Sequence, residues 1–258
     1  EPEAFLHPSQ QEVLFNGLKE FANKDNQQVM VSTHSSQFVG KSVENITSLL
    51  RLHRPEKQSQ PYQLTKNKWQ EVLDNNLVAA REFGEDKEQN FDEEVRMADE
   101  ELKYFLWLDS ERSSLFFARH VLLCEGASEK VYLEYLADTE WSFLRDRRVY
   151  ILECLGKYNL HRFMHLLKEL GLPHSVIFDG DNGKKNHATW NKIVHDAVTP
   201  LTVGIHQFDE DLEAYLGVPK PSRDDLKPIN IIKNHIDGAI DPNKRDELKE
   251  IVKQLVNV

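Results

Sequence analysis

The sequence predicts an α/β fold with a mainly parallel β-sheet in its second half, and three observations support this class. Short apolar runs alternate with amphipathic stretches from residue 119 onward, as in sheets covered by helices on both faces. Hydrophobic residues make up 40% and charged residues 29% of the chain, values typical of a folded globular protein. No apolar run approaches the ~20 residues that cross a bilayer, so we expect no membrane partner.

Four apolar runs are the predicted strands, and amphipathic stretches between and after them are the predicted helices. Gly171 follows the second of these helices as its C-cap. In such a sheet, functional groups lie at the carboxyl ends of the strands. The predicted strands are 120–124, 148–152, 174–178 and 202–207, and the predicted helices lie near 128–137, 159–170, 187–198, 223–237 and 243–256.

The first 118 residues divide into two predicted regions. Residues 1–52 contain a loop, a helix over about 9–23 and a short apolar strand over 28–31. Residues 53–118 begin with a polar, proline-containing stretch and continue as a helix, which predicts a linker with an acidic helical arm. Apolar residues recur at spacings of three and four in this arm and predict one apolar helix face: Phe91, Val95, Ala98, Leu102 and Phe105.

The net charge of −11 argues at first against a nucleic-acid partner. Most of the excess lies in residues 82–111, which hold 12 acidic and 3 basic side chains, whereas residues 145–192 hold 9 basic and 5 acidic ones. A DNA-facing surface is therefore possible in the second half, although each of its bases is also explained as a plain surface charge. The candidates for DNA contacts are Arg147, Arg148, Lys157, Arg162, Lys184 and Lys185.

Two cysteines, Cys124 and Cys154, are too few for a disulfide framework and lack zinc-site spacing. A reducing cytoplasm is the expected location. The chain also lacks an initiator methionine and a signal peptide, so we expect it to be a piece of a longer protein.

Two pairs of acids follow predicted strands directly. Glu125 and Glu129 follow the first strand, and Asp179 and Asp181 follow the third. Because parallel strands end at the same edge of a sheet, we expect the four carboxylates to converge. Charges about 4 Å apart repel by roughly 4 kcal/mol at an effective dielectric near 20, so such a cluster takes up protons or binds cations. Oxygen ligands favour Mg²⁺ or Mn²⁺.

A strand ending in Glu-Gly, then a helix, and later a strand ending in Asp-x-Asp resembles the Toprim domain, the metal-binding module of topoisomerases, primases and certain nucleases. The resemblance implies a Rossmann-like Toprim domain over residues 119–258. A haloacid-dehalogenase-like phosphatase also places Asp-x-Asp after a strand. That alternative gives Glu125 and Glu129 no role and ranks lower.

Further site residues follow the fourth strand. Glu213 resembles the Leu-Glu position of related nucleases and is the favoured additional metal ligand, with Asp211 as its competitor; a helix cap is the ordinary role for either. Lys227 lies near a helix start from which its ammonium can reach a phosphate or the attacking water, although an exposed lysine is the ordinary explanation. Lys157 and Asn159 resemble a glycine-lysine turn of the same nucleases.

The N-terminal segment has its own motifs. EPEAFLHP opens the chain and STHS follows the predicted strand over 28–31, which resembles the end of an ABC-type ATPase head. By that resemblance Glu1 activates water and His34 senses the γ-phosphate of ATP. The GKS at residues 40–42 lacks the earlier glycine of a phosphate-binding loop. We therefore expect no ATP hydrolysis by this polypeptide alone, with the missing parts upstream of residue 1.

An ABC-like head followed by a Toprim domain is similar to the OLD (overcoming lysogenization defect) family of nucleases. The resemblance implies a DNA endonuclease that uses two Mg²⁺ or Mn²⁺ ions, is regulated by ATP and acts in phage defence. It also implies a homo-oligomer and a helicase-like partner. The predicted units are residues 1–52, the C-terminal piece of the head; 53–118, the linker and arm; and 119–258, the Toprim nuclease domain.

The predicted mechanism is metal-dependent phosphodiester hydrolysis. Lys227 would stabilise negative charge or help to deprotonate the water. A topoisomerase would need a nucleophilic tyrosine, and a primase would need template-binding modules that the sequence does not show. The alternative from another class is a non-catalytic, ATP-gated scaffold. The predicted ligands are Glu125, Glu129, Asp179, Asp181 and Glu213.

Overall fold

The computed structural model describes residues 1–39, 43–54, 58–83, 93–108, 112–183 and 186–257. Its strands are β1 (Leu50–His53), β2 (Gln60–Gln63), β3 (His120–Cys124), β4 (Val149–Glu153), β5 (His174–Asp179) and β6 (Thr202–Phe208). Its helices are α1 (Pro8–Ala22), α2 (Val43–Ser48), α3 (Lys66–Phe83), α4 (Glu93–Trp107), α5 (Ala127–Thr139), α6 (Phe143–Asp146), α7 (Leu160–Glu169), α8 (His187–Asp196), α9 (Leu212–Leu216), α10 (Lys227–Ile236) and α11 (Pro242–Leu255).

The central sheet has four parallel strands in the order β4-β3-β5-β6. Cys124, the last residue of β3, lies opposite Glu153 of β4 and Ile177 of β5. All five residues of β3 are buried, because helices cover both faces and the strand has neighbours on both sides. The predicted α/β class with a parallel sheet is confirmed.

Alternate residues of the strands feed two separate cores, as the two-residue period of a strand requires. Val121 and Leu123 pack with α3, α4 and α7 on one face. Leu122 and Cys124 pack with α5 and the last two helices on the other. Burying one large apolar side chain contributes about 1.5–3 kcal/mol, so these two layers hold the domain together.

The predicted elements of the second half match the structure within a few residues. The strand predicted from residue 148 begins at Val149, because Arg148 adopts φ +53°, outside the extended region. The predicted stop at Gly171 lies one residue beyond Leu170, the C-cap of α7, where Gly171 adopts φ +64°. The short helices α6 and α9 were not predicted, since four or five residues are too few to show a helical period.

The region predicted as a linker and arm instead covers one face of the sheet. β1 and β2 form an antiparallel hairpin, and α3 and α4 contribute to the same core as α7. The Arg51 guanidinium fixes the hairpin by donating to four backbone carbonyls, among them those of Leu170 and Gly171. A Cβ at Gly171 would come within 2.3 Å of the Tyr62 ring, so the hairpin requires glycine there.

The predicted apolar face of α4 points outward. Val95, Leu102 and Phe105 are exposed, whereas Phe91 lies outside the described residues. The buried side of α4 carries Glu100 and Tyr104. Glu100 accepts two hydrogen bonds of 2.8 Å from Arg162, and this buried ion pair turns an acidic residue inward. Arg162 is therefore a structural residue and not the expected DNA contact.

Residues 1–39 bury little apolar surface. α1 begins one residue before its predicted start, and none of its fully described residues is buried. Residues 28–31, although described, form no strand, because no neighbouring strand pairs with them, and Met30 is 90% exposed. None of the helices in the described ranges is long and apolar enough to cross a membrane. The GKS at 40–42 lies outside the described residues.

Candidate active site at the carboxyl ends of the strands

A cleft of about 270 Å³ opens where β3 and β5 end. Its walls come from the turn after β3, the end of β5, the short helix α9 and the start of α10. Carboxylates dominate these walls, and Lys227 is their basic member. The lining residues are Glu125, Gly126, Ala127, Ser128, Glu129, Asp179, Glu213, Asp224, Asp225, Lys227 and Pro228.

Glu125 links the ends of the two central strands. It follows β3 directly, and its backbone N–H donates to the Ile177 carbonyl of β5 at 3.3 Å. Its Oε2 accepts a 3.2 Å hydrogen bond from the Asp179 backbone N–H. The predicted convergence of Glu125 and Asp179 at one sheet edge is therefore present in the structure.

Glu129 lies in the first turn of α5 and is only 3% exposed. Its Oε2 accepts a 2.9 Å hydrogen bond from the Gly126 backbone N–H, which satisfies one free amide of the helix start. Burial, assisted by repulsion from Glu125 and Glu213, raises its pKa from 4.5 to about 8. The carboxylates of Glu125, Glu129 and Glu213 are thus close enough in the cleft to repel one another.

Asp179 ends β5 and is the most perturbed acid of the cleft. Burial, together with the negative charges of Glu129 and Glu125, raises its pKa from 3.8 to about 9. Its Oδ1 accepts a 3.2 Å hydrogen bond from the Leu212 backbone N–H of α9. At neutral pH this carboxyl group therefore keeps a proton unless positive charge enters the cleft.

The structure separates the two competing acids of the loop after β6. Glu213 lines the cleft, is 2% exposed and accepts a 3.2 Å hydrogen bond from the Ser128 hydroxyl. Asp211 instead caps α9 by accepting from the Ala214 backbone N–H at 2.9 Å, and it forms an ion pair with Lys220. This geometry favours Glu213 as the residue that faces a bound group.

Asp181 is not among the residues that line the cleft. Its backbone takes a left-handed conformation with φ +52°, which directs the chain away from β5. Its Oδ2 lies 3.0 Å from the Lys157 ammonium and 2.9 Å from Nδ1 of His187. Asp181 is thus paired inside the protein, but the same ammonium lies 4.0 Å from Oε2 of Glu125 and the Asp181 charge acts on Asp179. Its role as a metal ligand stays a prediction.

The predicted DNA contacts lie in different surroundings. Lys157 is 1% exposed, and its ammonium is held by Asp181 instead of facing solvent. Arg147 and Arg148 are exposed, but they precede β4 and so lie at the sheet edge opposite the cleft. Lys184 and Lys185 lie outside the described residues.

Lys227 is the first residue of α10 and lines the cleft, as predicted. Its ammonium forms a 2.9 Å ion pair with Asp224. The hydrogen bond to Asp224, with smaller attraction from Glu213, raises its pKa above the ordinary value. Lys227 therefore keeps its positive charge at neutral pH and is placed to attract a phosphate.

The donor atoms of the cleft are carboxylate oxygens, which fit a hard divalent cation such as Mg²⁺ or Mn²⁺. Within the part of the chain that the structure describes, no three His, Cys, Asp or Glu side chains are close enough together to hold a metal ion. Glu125, Glu129 and Asp179 instead accept hydrogen bonds from backbone amides. These hydrogen bonds are compatible with a cation, because a carboxylate has two oxygens and about four lone-pair sites.

Residues 116–181 match the family described as Overcoming lysogenization defect protein-like, TOPRIM domain. This part of the chain is similar to an OLD-like Toprim domain. Residues 1–39 match the AAA ATPase domain family. The predicted resemblance to an ATPase head followed by a Toprim domain of the OLD type is therefore confirmed.

Two curated relatives are similar to most of this chain. An OLD nuclease from Thermus scotoductus is 27% identical over 277 residues, covering 99% of this chain and 47% of the relative. Endonuclease GajA from Bacillus cereus is 23% identical over 226 residues, covering 82% of this chain and 30% of the relative. The chain thus spans less than half the length of either relative.

The ATPase segment preceding the Toprim domain brings its two predicted residues together. Glu1 Oε1 lies 3.2 Å from Nε2 of His34. Glu3, which sequence reasoning missed, is 7% exposed and accepts from the Thr33 hydroxyl and, at 3.2 Å, from the His34 backbone N–H. Its signal in the sequence was an acid two residues beyond Glu1, inside the same motif. The His34 ring also lies 6.2 Å from Phe117, just before β3.

Proposed function

We propose that this chain carries the nuclease centre of a metal-dependent DNA endonuclease. One observation carries the proposal: Glu125, Glu129, Asp179 and Glu213 line one cleft together with the cationic Lys227. Two of these acids have strongly raised pKa values because they are buried beside one another, which is typical of a site built to receive positive charge. The two curated relatives are named as nucleases, which supports the same class of reaction.

The side chains have distinct roles in this proposal. Glu125, Glu129, Asp179 and Glu213 would hold two divalent cations, which when bound supply Lewis acidity and lower the pKa of water. Lys227 attracts the scissile phosphate and stabilises the negative charge that develops during cleavage. Lys157 pairs with Asp181 and lies 4.0 Å from Glu125, which holds the turn after β5 beside the cleft; Asp181 stays a predicted further ligand.

Regulation by ATP belongs to the proposal as well. Glu1 and His34 form an ion-pair contact in the segment that matches an ATPase, and we assign them to water activation and γ-phosphate sensing. The 258 residues contain no Walker A sequence, so ATP hydrolysis is proposed only for a complete head. The proposal further includes a homo-oligomer, a helicase-like partner, a cytoplasmic location and a role in phage defence.

Plasmid cleavage tests the proposed nuclease centre. Purified protein, alone and joined to a complete ATPase head, is incubated with supercoiled plasmid and Mn²⁺ or Mg²⁺, with and without EDTA. We expect loss of supercoils that EDTA prevents. Asp179→Asn should lower the rate by at least about 100-fold, as expected for loss of a group that acts in the transition state.

A matched control uses an acid of the neighbouring loop. Asp209 is exposed and does not line the cleft, so Asp209→Asn should cleave like the unaltered protein. If neither form of the protein cleaves, or if Asp179→Asn cleaves normally, the nuclease assignment is wrong. Failure of both forms to cleave would favour a non-catalytic, ATP-gated scaffold.

A further inference from the structure

Two helices of the Toprim domain begin at the cleft and run side by side. α5 carries Glu129 in its first turn, and α10 starts with Lys227. Both helices contribute to the same core, through Leu133 of α5 and Ile231 of α10 among others. The separation between the Glu129 carboxylate and the Lys227 ammonium therefore depends on how α10 is placed along α5.

A chain of hydrogen bonds joins the two helices away from the cleft. The Tyr132 hydroxyl of α5 lies 3.0 Å from Nδ1 of His235 on α10. Nε2 of the same ring lies 2.9 Å from Oε1 of Glu140, at the end of α5. Since an ionised carboxylate only accepts, Nε2 carries the proton, and in the neutral ring Nδ1 accepts from the Tyr132 hydroxyl.

The relay is buried at Tyr132 and His235 and reaches the surface at Glu140, whose side chain is 34% exposed. The His235 side chain is 6% exposed, and the rings of Tyr132 and Tyr135 meet its ring at centroid distances of 5.7 and 5.3 Å. Arg245 of α11 approaches Glu140 at 3.6 Å. Buried polar groups left without partners cost about 1–3 kcal/mol each, so the relay favours one relative placement of the helices, whereas an apolar contact alone would tolerate sliding.

We propose that Tyr132, His235 and Glu140 form a positioning relay that sets α10 against α5 and thereby holds Lys227 over the cleft. None of these three described side chains is among those that line the cleft, so they act through Lys227. The inference rests on the proposed nuclease function, because it assigns Lys227 a role in cleavage. It assigns a role to Tyr132, His235 and Glu140, whose contacts no pattern in the sequence indicates.

Steady-state kinetics on the full chain with a complete ATPase head test this relay. We expect His235→Ala to lower kcat for plasmid cleavage by about 10-fold with little change in KM, because small displacements of a positioned group are costly. Tyr132→Phe, which removes one oxygen, should lower kcat by about 3-fold. Tyr135→Phe is the matched control: its ring still packs on His235, and kcat should stay unchanged.

A double variant distinguishes positioning from general destabilisation. In a Lys227→Ala background, His235→Ala should cause no further loss of the residual rate, because the group it positions is gone. An equal loss in both backgrounds would overturn the proposal, since the effect would then not pass through Lys227. An unchanged kcat in both His235→Ala and Tyr132→Phe would overturn it as well.

Hydrogen exchange provides a readout that does not depend on cleavage. Backbone amides over residues 229–233 of α10 should exchange about 10-fold faster in His235→Ala than in the unaltered protein, and at the original rate in Tyr135→Phe. If His235→Ala fails to fold, Tyr132→Phe takes its place with a smaller expected increase. Unaltered exchange would overturn the relay even if the protein cleaves DNA, whereas faster exchange in a protein that never cleaves would refute only the nuclease function.

Discussion

The ATPase segment and the Toprim domain bury their side chains to very different degrees. In residues 1–39, Phe5, Val13 and Met30 are 107%, 72% and 90% exposed. In the Toprim domain every residue of β3 is buried. The segment nevertheless brings Glu1 to His34 through a few hydrogen bonds around Glu3. Glu1 and His34, the residues proposed for the ATP site, are thus placed mainly by polar contacts, whereas the free energy of folding comes from the apolar layers on the sheet.

The largest expected effect contrasts two phenylalanines on helices. Phe163 of α7 is fully buried, whereas Phe21 of α1 is 45% exposed. Phe163→Ala should lower the free energy of unfolding by about 3–5 kcal/mol because it leaves a cavity. Phe21→Ala should change it by less than about 1 kcal/mol. Urea unfolding followed by circular dichroism measures both, and equal costs would contradict the contrast between the regions.

Removing one partner of the buried ion pair between Arg162 and Glu100 should lower the free energy of unfolding nearly as much as Phe163→Ala does. Arg162→Ala leaves Glu100 buried without its bidentate partner, and the free energy of unfolding should fall by about 3 kcal/mol. Replacing both partners, as in Arg162→Met with Glu100→Leu, should recover most of that loss. Chemical denaturation of the single and double variants provides the check; a mild single variant would show that α4 is not fixed by this pair.

Asp179→Asn should stabilise the Toprim domain while abolishing cleavage. The folded-state pKa of Asp179 is about 9 against an ordinary 3.8, so between these values the folded protein holds a proton that the unfolded chain releases. Stability therefore falls as pH rises through this window, and the deficit is complete above the folded pKa. Asparagine does not ionise, and it keeps an acceptor for the Leu212 N–H.

Urea unfolding at pH 5 and pH 8 without divalent cations measures this difference. The increase in the free energy of unfolding caused by Asp179→Asn should be at least about 1 kcal/mol larger at pH 8 than at pH 5. Asp209→Asn is again the control and should show no such pH dependence. Parallel stability curves for Asp179→Asn and the unaltered protein would contradict the prediction, because they would mean that the pKa of Asp179 is not raised in the folded protein.

The smallest expected effect lies in the ATPase segment. The pair between Glu1 and His34 has side chains 54% and 81% exposed. Glu1→Gln should change the free energy of unfolding by less than about 0.5 kcal/mol, because exposed ion pairs are screened by water and salt. Urea unfolding measures this change. A larger decrease in the free energy of unfolding would show that contacts of this segment stabilise the folded protein.

The sequence was most informative where a short-range pattern decides the structure. The strands and the acids that follow them were predicted because apolar runs and strand exits are local features. Arg147 and Arg148 were predicted as DNA contacts. Because residues that precede a parallel strand lie at its amino end, topology alone indicates that they lie at the end of the sheet opposite the acids that follow the strands.

Other features depend on partners far away in the chain. Arg162 and Glu100 are 62 residues apart, and no local pattern indicates that an acid of a charged helix turns inward. Asp181 follows the same strand as Asp179, but a left-handed backbone and the ion pair with Lys157 direct it elsewhere. His235 joins residues of another helix 103 positions earlier. In these three examples the contacts depend on side-chain direction and on tertiary pairing, which a local sequence pattern does not contain.

The strand order has a consequence for synthesis of the protein. β3 lies between β4 and β5, both of which come later in the chain, so its apolar residues emerge from the ribosome before either neighbour exists. The gap from Cys124 to Asp179 takes about 3–10 seconds to translate at roughly 5–20 residues per second. β4 is complete about halfway through that interval, so the buried strand β3 has no partner until then and only one until β5 follows. The nascent chain should depend on chaperones that shield it.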